Sequence, residues 1–252
     1  MRPYGLGQVK KLTGQAALVT GGALRVGRAI AEALAREGAD VAIGYHRSAA
    51  EARRAVRELE ALGVRAMALR ADLGDPADAR RLVTAAARGL GGLDLLVNNA
   101  AIFVRTPFAT VTPAQFDHLL AINLRGAFFC CQAAARVMAK RGGRIINIAD
   151  VGAARAWPGY IPYTISKAGL VAMTRSLAVT LAPAIQVNAV APGVVLLPEG
   201  FPRQSRRSII ARIPMRRHGH PTDVAEAVRF FATCSRYITG QILSVDGGSS
   251  AL

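Results

Sequence analysis

Ala16-Ala17-Leu18-Val19-Thr20-Gly21-Gly22-Ala23-Leu24-Arg25-Val26-Gly27 decides the fold class. Ala16–Thr20 is a short apolar run of strand length, and a glycine-rich turn carries it into a helix near Gly27–Glu37. The alternation continues outward. Asp40–Tyr45, Arg65–Arg70, Leu93–Val97, Gly143–Ile148, Ile185–Val190 and Gln241–Val245 read as strands. Helical stretches fall near Ala49–Leu62, Pro76–Leu90, Pro113–Ala139, Tyr160–Leu181 and Pro221–Cys234. Continuous apolar strands separated by amphipathic helices imply a parallel sheet covered on both faces. The expectation is α/β: one doubly wound Rossmann-type domain over residues 15–252, with about seven parallel strands, after an N-terminal tail of residues 1–14. Residues 194–215 show no clear regular structure, and long loops in compact domains are usually functional, so this is the expected substrate loop.

Composition narrows the class. The chain has 252 residues, 52% hydrophobic and 19% charged, which is globular rather than disordered. Net charge is +16, but the charges are scattered and mostly Arg, without a basic block or a stripe interleaved with aromatics. Nucleic acid is therefore not an expected partner. No apolar run reaches membrane-span length, and the N-terminus lacks an apolar signal core, so a cytoplasmic protein is expected. Three cysteines, two of them adjacent, read as packing residues in a reducing compartment, and the four histidines lack metal-ligand spacing.

The glycine turn lets backbone approach a pyrophosphate, whose charge sits at the helix N-terminus. An NAD enzyme places an acid near the end of the second strand to accept from the ribose 2′-hydroxyl. Here the strand ends Tyr45-His46-Arg47-Ser48, with no acid, and Arg47 and Ser48 suit a 2′-phosphate. NADPH is the expected cofactor. At the chemical end Tyr163 and Lys167 stand four apart on one helix face. A tyrosine with a pKa of about 10 is a slow proton donor at neutral pH, and a nearby ammonium would lower that value.

Thr20-Gly21 through Gly27, Asp72 after the third strand, Asn98-Asn99-Ala100 and Tyr163-x-x-x-Lys167 together resemble the short-chain dehydrogenase/reductase family from end to end. The resemblance implies that Tyr163 is the acid, Lys167 its tuner and ribose anchor, and Asn123 the holder of a proton-relay water. It places Gly21, Arg25, Val26, Gly27, His46, Arg47, Ser48, Asp72, Leu73, Asn99, Ala100, Lys167, Pro192 and Gly193 along the cofactor, with Asp72 at the adenine. Asn98 is read as stabilising sheet and loop. The resemblance also implies a homotetramer formed through the Pro113–Ala139 and Tyr160–Leu181 helices. Apolar Ala127-Phe128-Phe129-Cys130-Cys131 exceeds what one helix face needs.

Four departures resemble the pteridine reductase branch. Arg25 replaces the middle glycine of the turn, and the branch implies that it reaches cofactor phosphates and substrate. The segment Tyr45–Ala52 is similar to that branch. Phe103 falls where the branch stacks a pterin ring. Asp150 stands where most of the family has a serine that donates to a substrate carbonyl. An ionised carboxylate cannot donate, but it can accept from a ring N–H. Tyr160 matches a pterin-pocket tyrosine, and Trp157 is a second candidate wall. The first expectation is thus an NADPH-dependent reductase of pterin or dihydrofolate-like small molecules, run by Tyr163, Asp150 and Lys167. The rival is a short-chain carbonyl reductase acting on 3-oxoacyl thioesters or other ketones. A non-catalytic NADP-binding protein is the alternative of another class, disfavoured by the intact Tyr–Lys pair.

Overall fold

The computed structural model describes residues 11–196 and 202–251. Seven strands form one all-parallel sheet: β1 (Ala16–Thr20), β2 (Asp40–Tyr45), β3 (Ala66–Arg70), β4 (Leu95–Asn98), β5 (Gly143–Ile148), β6 (Ile185–Pro192) and β7 (Ile242–Val245). Their order is β3-β2-β1-β4-β5-β6-β7. The sheet grows one way from β1 to β3, then reverses to place β4 on the other side of β1. That reversal opens a crevice at the C-terminal ends of β1 and β4, where ligands of such sheets bind. Every residue of β1, β4 and β6 is buried; β1 and β4 are apolar up to their last residue, whereas β6 also buries Gln186 and Asn188.

Helices cover both faces. One core joins α1 (Arg25–Arg36), α2 (Ala49–Glu60) and α8 (Pro221–Thr233) to the sheet through Ile30, Leu34, Leu59, Val228 and Phe231. The other joins α3 (Pro76–Leu90), α5 (Ala127–Met138) and α6 (Ile161–Thr180) through Leu82, Val83, Cys130, Cys131, Leu170 and Met173. α1 buries Gly27, Ile30, Ala31, Leu34 and Ala35, the three-and-four spacing of a single stripe. α3 is bounded by its sequence: Asp75 accepts from the Ala77 amide, Pro76 opens the first turn, and Gly91 at φ 81° closes the last.

Three expectations change. The predicted Pro113–Ala139 helix is α4 (Pro113–Leu120), a π-helical segment at Ala121–Gly126, and α5. Residues 194–215 are not wholly irregular, since they contain α7 (Arg203–Ala211); residues 197–201 of that stretch lie outside the described residues. The expected tail ends earlier than residue 14, because Leu12 is buried in the first core and its amide donates to the Glu37 carbonyl; residues 1–10 lie outside the described residues. Among the described residues no helix is long and apolar enough to cross a membrane.

Candidate active site

The crevice is assembled by Thr20. Its hydroxyl accepts from the amides of Asn99 (2.9 Å) and Ala100 (3.0 Å). The Asn99 side-chain amide donates to the carbonyls of Thr20 (2.9 Å) and Gly21 (3.2 Å). The turn after β4 is thereby pinned to the turn after β1. Gly27 lies so close that an added Cβ would stand 2.1 Å from the Gly21 carbonyl oxygen. The result is a bare backbone cradle at the start of α1, whose first turn holds no acid and whose N-cap, Leu24, offers no capping side chain. Arg25 is exposed at φ 53°, the left-handed region in which a non-glycine residue costs roughly 1–2 kcal/mol. The backbone here takes the conformation that favours glycine, and an arginine occupies it. Val26 is half-buried beside it.

At the ends of β2 and β3, His46 and Arg47 are exposed, and Ser48 precedes α2 without spending its hydroxyl on a cap. Asp72 Oδ1 accepts from the Gly74 amide at 2.9 Å, its Oδ2 lies 3.9 Å from His46 Nε2, and Leu73 is buried beneath it. His46 and Asp72 share a cavity of about 300 Å³ with Arg70, Asp78 and Arg81. Sequence reading missed Arg70 and Arg81. The available signal was Arg70 as the last residue of β3, in register with Tyr45. Pro192 ends β6 and Gly193 follows it, where an added Cβ would come within 2.7 Å of Asp246 Cβ.

The chemical end sits where β5 leaves the sheet. Asp150 Oδ1 accepts from the Gly152 amide at 2.6 Å, capping a short 3-10 turn, Val151–Ala153. Its other oxygen accepts from the Tyr163 hydroxyl at 2.9 Å. One helical turn on, Lys167 is 2% exposed and its Nζ donates to the Ile148 carbonyl at 2.7 Å. Asn123, in the π-helical segment, donates to the Ile102 carbonyl (2.9 Å) and to Ser166 Oγ (3.3 Å), and accepts from the Ile102 amide (2.9 Å). It clamps the loop after β4 to α6, at the kind of irregularity often found at functional sites. Asn98 donates to Asn147 Oδ1 and Cys131 Sγ inside the sheet, a structural role as the sequence suggested.

Burial sets the proton affinities. It raises Asp150 above the ordinary carboxylate value, against the opposing pull of the Gly152 amide, the Tyr163 hydroxyl and the Lys167 charge. Burial, then the negative charge of Asp150, pushes the Tyr163 phenol up. Burial lowers Lys167 to about 8, with Asp150 acting against it. This corrects the expected tuning. Lys167 Nζ bonds the backbone and stands 5.7 Å from the Tyr163 ring centroid, while the group bonded to the hydroxyl is an acid, so the phenol moves up rather than down.

Three rings gather around that of Tyr163. Phe103 stacks on Tyr160 at 4.5 Å and meets Tyr163 edge-on at 4.8 Å. Trp157, the weaker candidate by sequence, lies 5.4 Å from Phe103. Among the described residues no group of three or more His, Cys, Asp or Glu is placed to hold a metal ion.

Residues 21–250 match the family model described as enoyl-(acyl carrier protein) reductase. The chain is 36% identical over 239 residues to the 3-oxoacyl-[acyl-carrier-protein] reductase FabG of Staphylococcus aureus, covering 93% of this chain and 97% of that protein. It is 37% identical to the L-rhamnose 1-dehydrogenase (NAD(P)(+)) of a Sphingomonas species, covering 95% and 98%. A short chain dehydrogenase from Burkholderia cenocepacia, solved in complex with NADP, superposes with a TM-score of 0.88 at 40% identity, covering 95% and 99%.

Proposed function

The chain belongs to the short-chain dehydrogenase/reductase family, and from that premise we propose that it is an NADPH-dependent reductase of a ketone carbonyl, with Tyr163 as the proton donor. The observation that carries the reading is the 2.9 Å bond between the buried Tyr163 hydroxyl and Asp150 at the mouth of the crevice. The relatives' names share carbonyl–alcohol chemistry, which favours this reading over the pterin reading expected first.

NADPH supplies the hydride when bound. Gly21 and Gly27 let the first turn pack tightly on itself and on the loop after β4, so that the acid-free start of α1 would hold a pyrophosphate, and the acid-free end of β2 leaves Arg47, Ser48 and His46 to hold a 2′-phosphate. Asp72 and Leu73 after β3, Asn99 and Ala100 after β4, and Pro192 and Gly193 at the end of β6 would line the cofactor's path, and Lys167 would hold a ribose. Tyr163 gives its proton to the carbonyl oxygen. Burial favours the neutral form of Asp150, and when neutral its carboxyl can return a proton to the phenolate oxygen, with solvent recharging the carboxyl. A neutral carboxyl also donates, which removes the objection that an aspartate cannot replace the usual serine. Asn123 fixes the loop that carries Phe103.

A second reading, reduction of a pterin C=N bond, is favoured by the Phe103–Tyr160 stack, a wall suited to a flat ring. Steady-state assays with NADPH against acetoacetyl thioester, acetophenone, dihydrobiopterin and dihydrofolate decide between them. Turnover of dihydropterins alone would overturn the ketone reading, and no turnover of any would overturn both.

Two expectations accompany the proposal. NADPH should exceed NADH by at least ~10-fold in kcat/KM. Arg47→Ala should erode that preference through the KM for NADPH, and equal use of both cofactors would refute it. Light scattering at micromolar concentration should show a homotetramer through α4, α5 and α6. Cys130 and Cys131 turn into the chain's own core, so the motivating surface is Phe128, 44% exposed, with Ile165 and Val179 on α6. A monomer would refute it.

A further inference from the structure

Trp157 takes no part in the proton transfer, yet it stands beside the acid. Its ring centroid is 6.3 Å from that of Tyr163 and 5.1 Å from that of Tyr160. Phe103 comes from the loop after β4, and the other three rings come from the segment between β5 and α6 and from the first turn of α6. Two features show that the cluster is built. The Thr106 amide donates to the Gly159 carbonyl at 2.7 Å, which pairs the two loops. Gly152 has no side chain where the indole lies, since an added Cβ would stand 3.0 Å from its ring. The cluster nevertheless stays open: Trp157 is 38% exposed and Phe103 52%. Large aromatic surfaces grouped in water beside a reactive group mark a place that a ligand covers.

We infer that Trp157 is a specificity-determining residue, and that the substrate carries a flat conjugated ring next to the bond being reduced. The inference rests on the reductase reading and narrows its substrate class. Any apolar wall favours a linear acyl chain. A planar ring gains more from these walls, because aromatic faces and edges attract one another beyond their buried area. An aromatic cluster can also attract an organic cation. Arg105 brings positive charge to the Gly159 turn beside the cluster, and Asp150 stands on Tyr163, so a neutral ring is the ligand that neither charge repels.

Trp157 is the sole tryptophan of the chain, so its fluorescence reports on this pocket alone. The full-length protein with NADP⁺ is titrated with acetophenone, dihydrobiopterin and acetoacetyl thioester. The two planar compounds should quench the emission saturably, and the linear thioester should not. With NADPH, Trp157→Ala should lower the ratio of kcat/KM for planar over linear substrates about tenfold, mainly through KM, and Trp157→Phe should restore most of it. Equal loss of kcat on all substrates would reduce Trp157 to a prop for the Gly152 turn and overturn the inference. Rapid turnover of linear ketones without quenching by planar compounds overturns it too, leaving the reductase reading intact. Quenching by planar compounds without turnover of any substrate overturns the reductase reading while ring binding stands.

Discussion

Replacing Tyr163 by phenylalanine is expected to lower kcat by about a thousandfold, within the range for a lost positioned acid. The ring would keep its edge-on contact with Phe103, 4.8 Å between centroids in the parent, so the substrate wall survives. What disappears is the hydroxyl that bonds Asp150 at 2.9 Å. Losing one such bond should cost about 1–3 kcal/mol of stability, far too little to unfold a domain of this size. A thermal melt separates this from damage, and KM for NADPH should stay close to the parent value. The residual activity has its own signature. Without the phenol, the remaining donor in contact range is the Asp150 carboxyl, which donates only when neutral. The leftover rate should therefore rise as pH falls through the raised Asp150 pKa. A variant with near-parental kcat would remove Tyr163 from the role of acid.

The sheet was legible in the sequence because it is buried on both faces. β1 and β2 are runs whose ends coincide with Gly, Asp or a change of polarity, β5 carries Arg144 and Asn147 within its run, and the bounds of all three agree residue for residue with expectation. The interruption in the long helix was not legible. The apolar pattern runs straight through Ala121–Gly126, and what distorts it is tertiary: Asn123 clamps Ile102, and Gly126 approaches Leu73 so closely that a Cβ would stand 2.4 Å from its carbonyl oxygen. α7 was missed because exposed Arg206 and Arg207 break any apolar stripe. In the site, Tyr163 and Lys167 share a face by spacing alone. That Lys167 would spend its charge on the Ile148 carbonyl depends on how β5 ends beneath α6. No spacing rule contains that distance. The place of Trp157 beside Phe103 was likewise not legible, since the turn that brings them together is set by the bridge at Thr106 and Tyr160.

Asp150 gives the second large effect, and its substitutions separate the two substrate readings. Burial holds the folded-state pKa above the unfolded value. The sign follows: the stability owed to this group is complete below the unfolded pKa and is lost as pH rises through the folded one. Asp150→Asn keeps the shape without the charge, so its melting temperature should match the parent near pH ~4 and exceed it increasingly toward pH ~7. Lys167, lowered to about 8, remains largely protonated across that window. Activity follows the same titration. The neutral carboxyl returns the proton to Tyr163, so parental kcat should fall as pH rises through the Asp150 value. Asp150→Ser removes that limb and restores a hydroxyl donor. On acetophenone or acetoacetyl thioester the serine hydroxyl can donate to the carbonyl oxygen and relay solvent protons to Tyr163 in the carboxyl's place, so activity should hold or rise. On a dihydropterin, whose ring N–H needs an acceptor, it should fall by about a hundredfold or more. Opposite signs cannot come from general damage, which lowers both rates together. Unchanged pterin turnover in the serine variant would detach Asp150 from nitrogen chemistry. Loss of ketone turnover to the same extent as pterin turnover would show instead that the carboxyl serves Tyr163 alone, whatever the substrate.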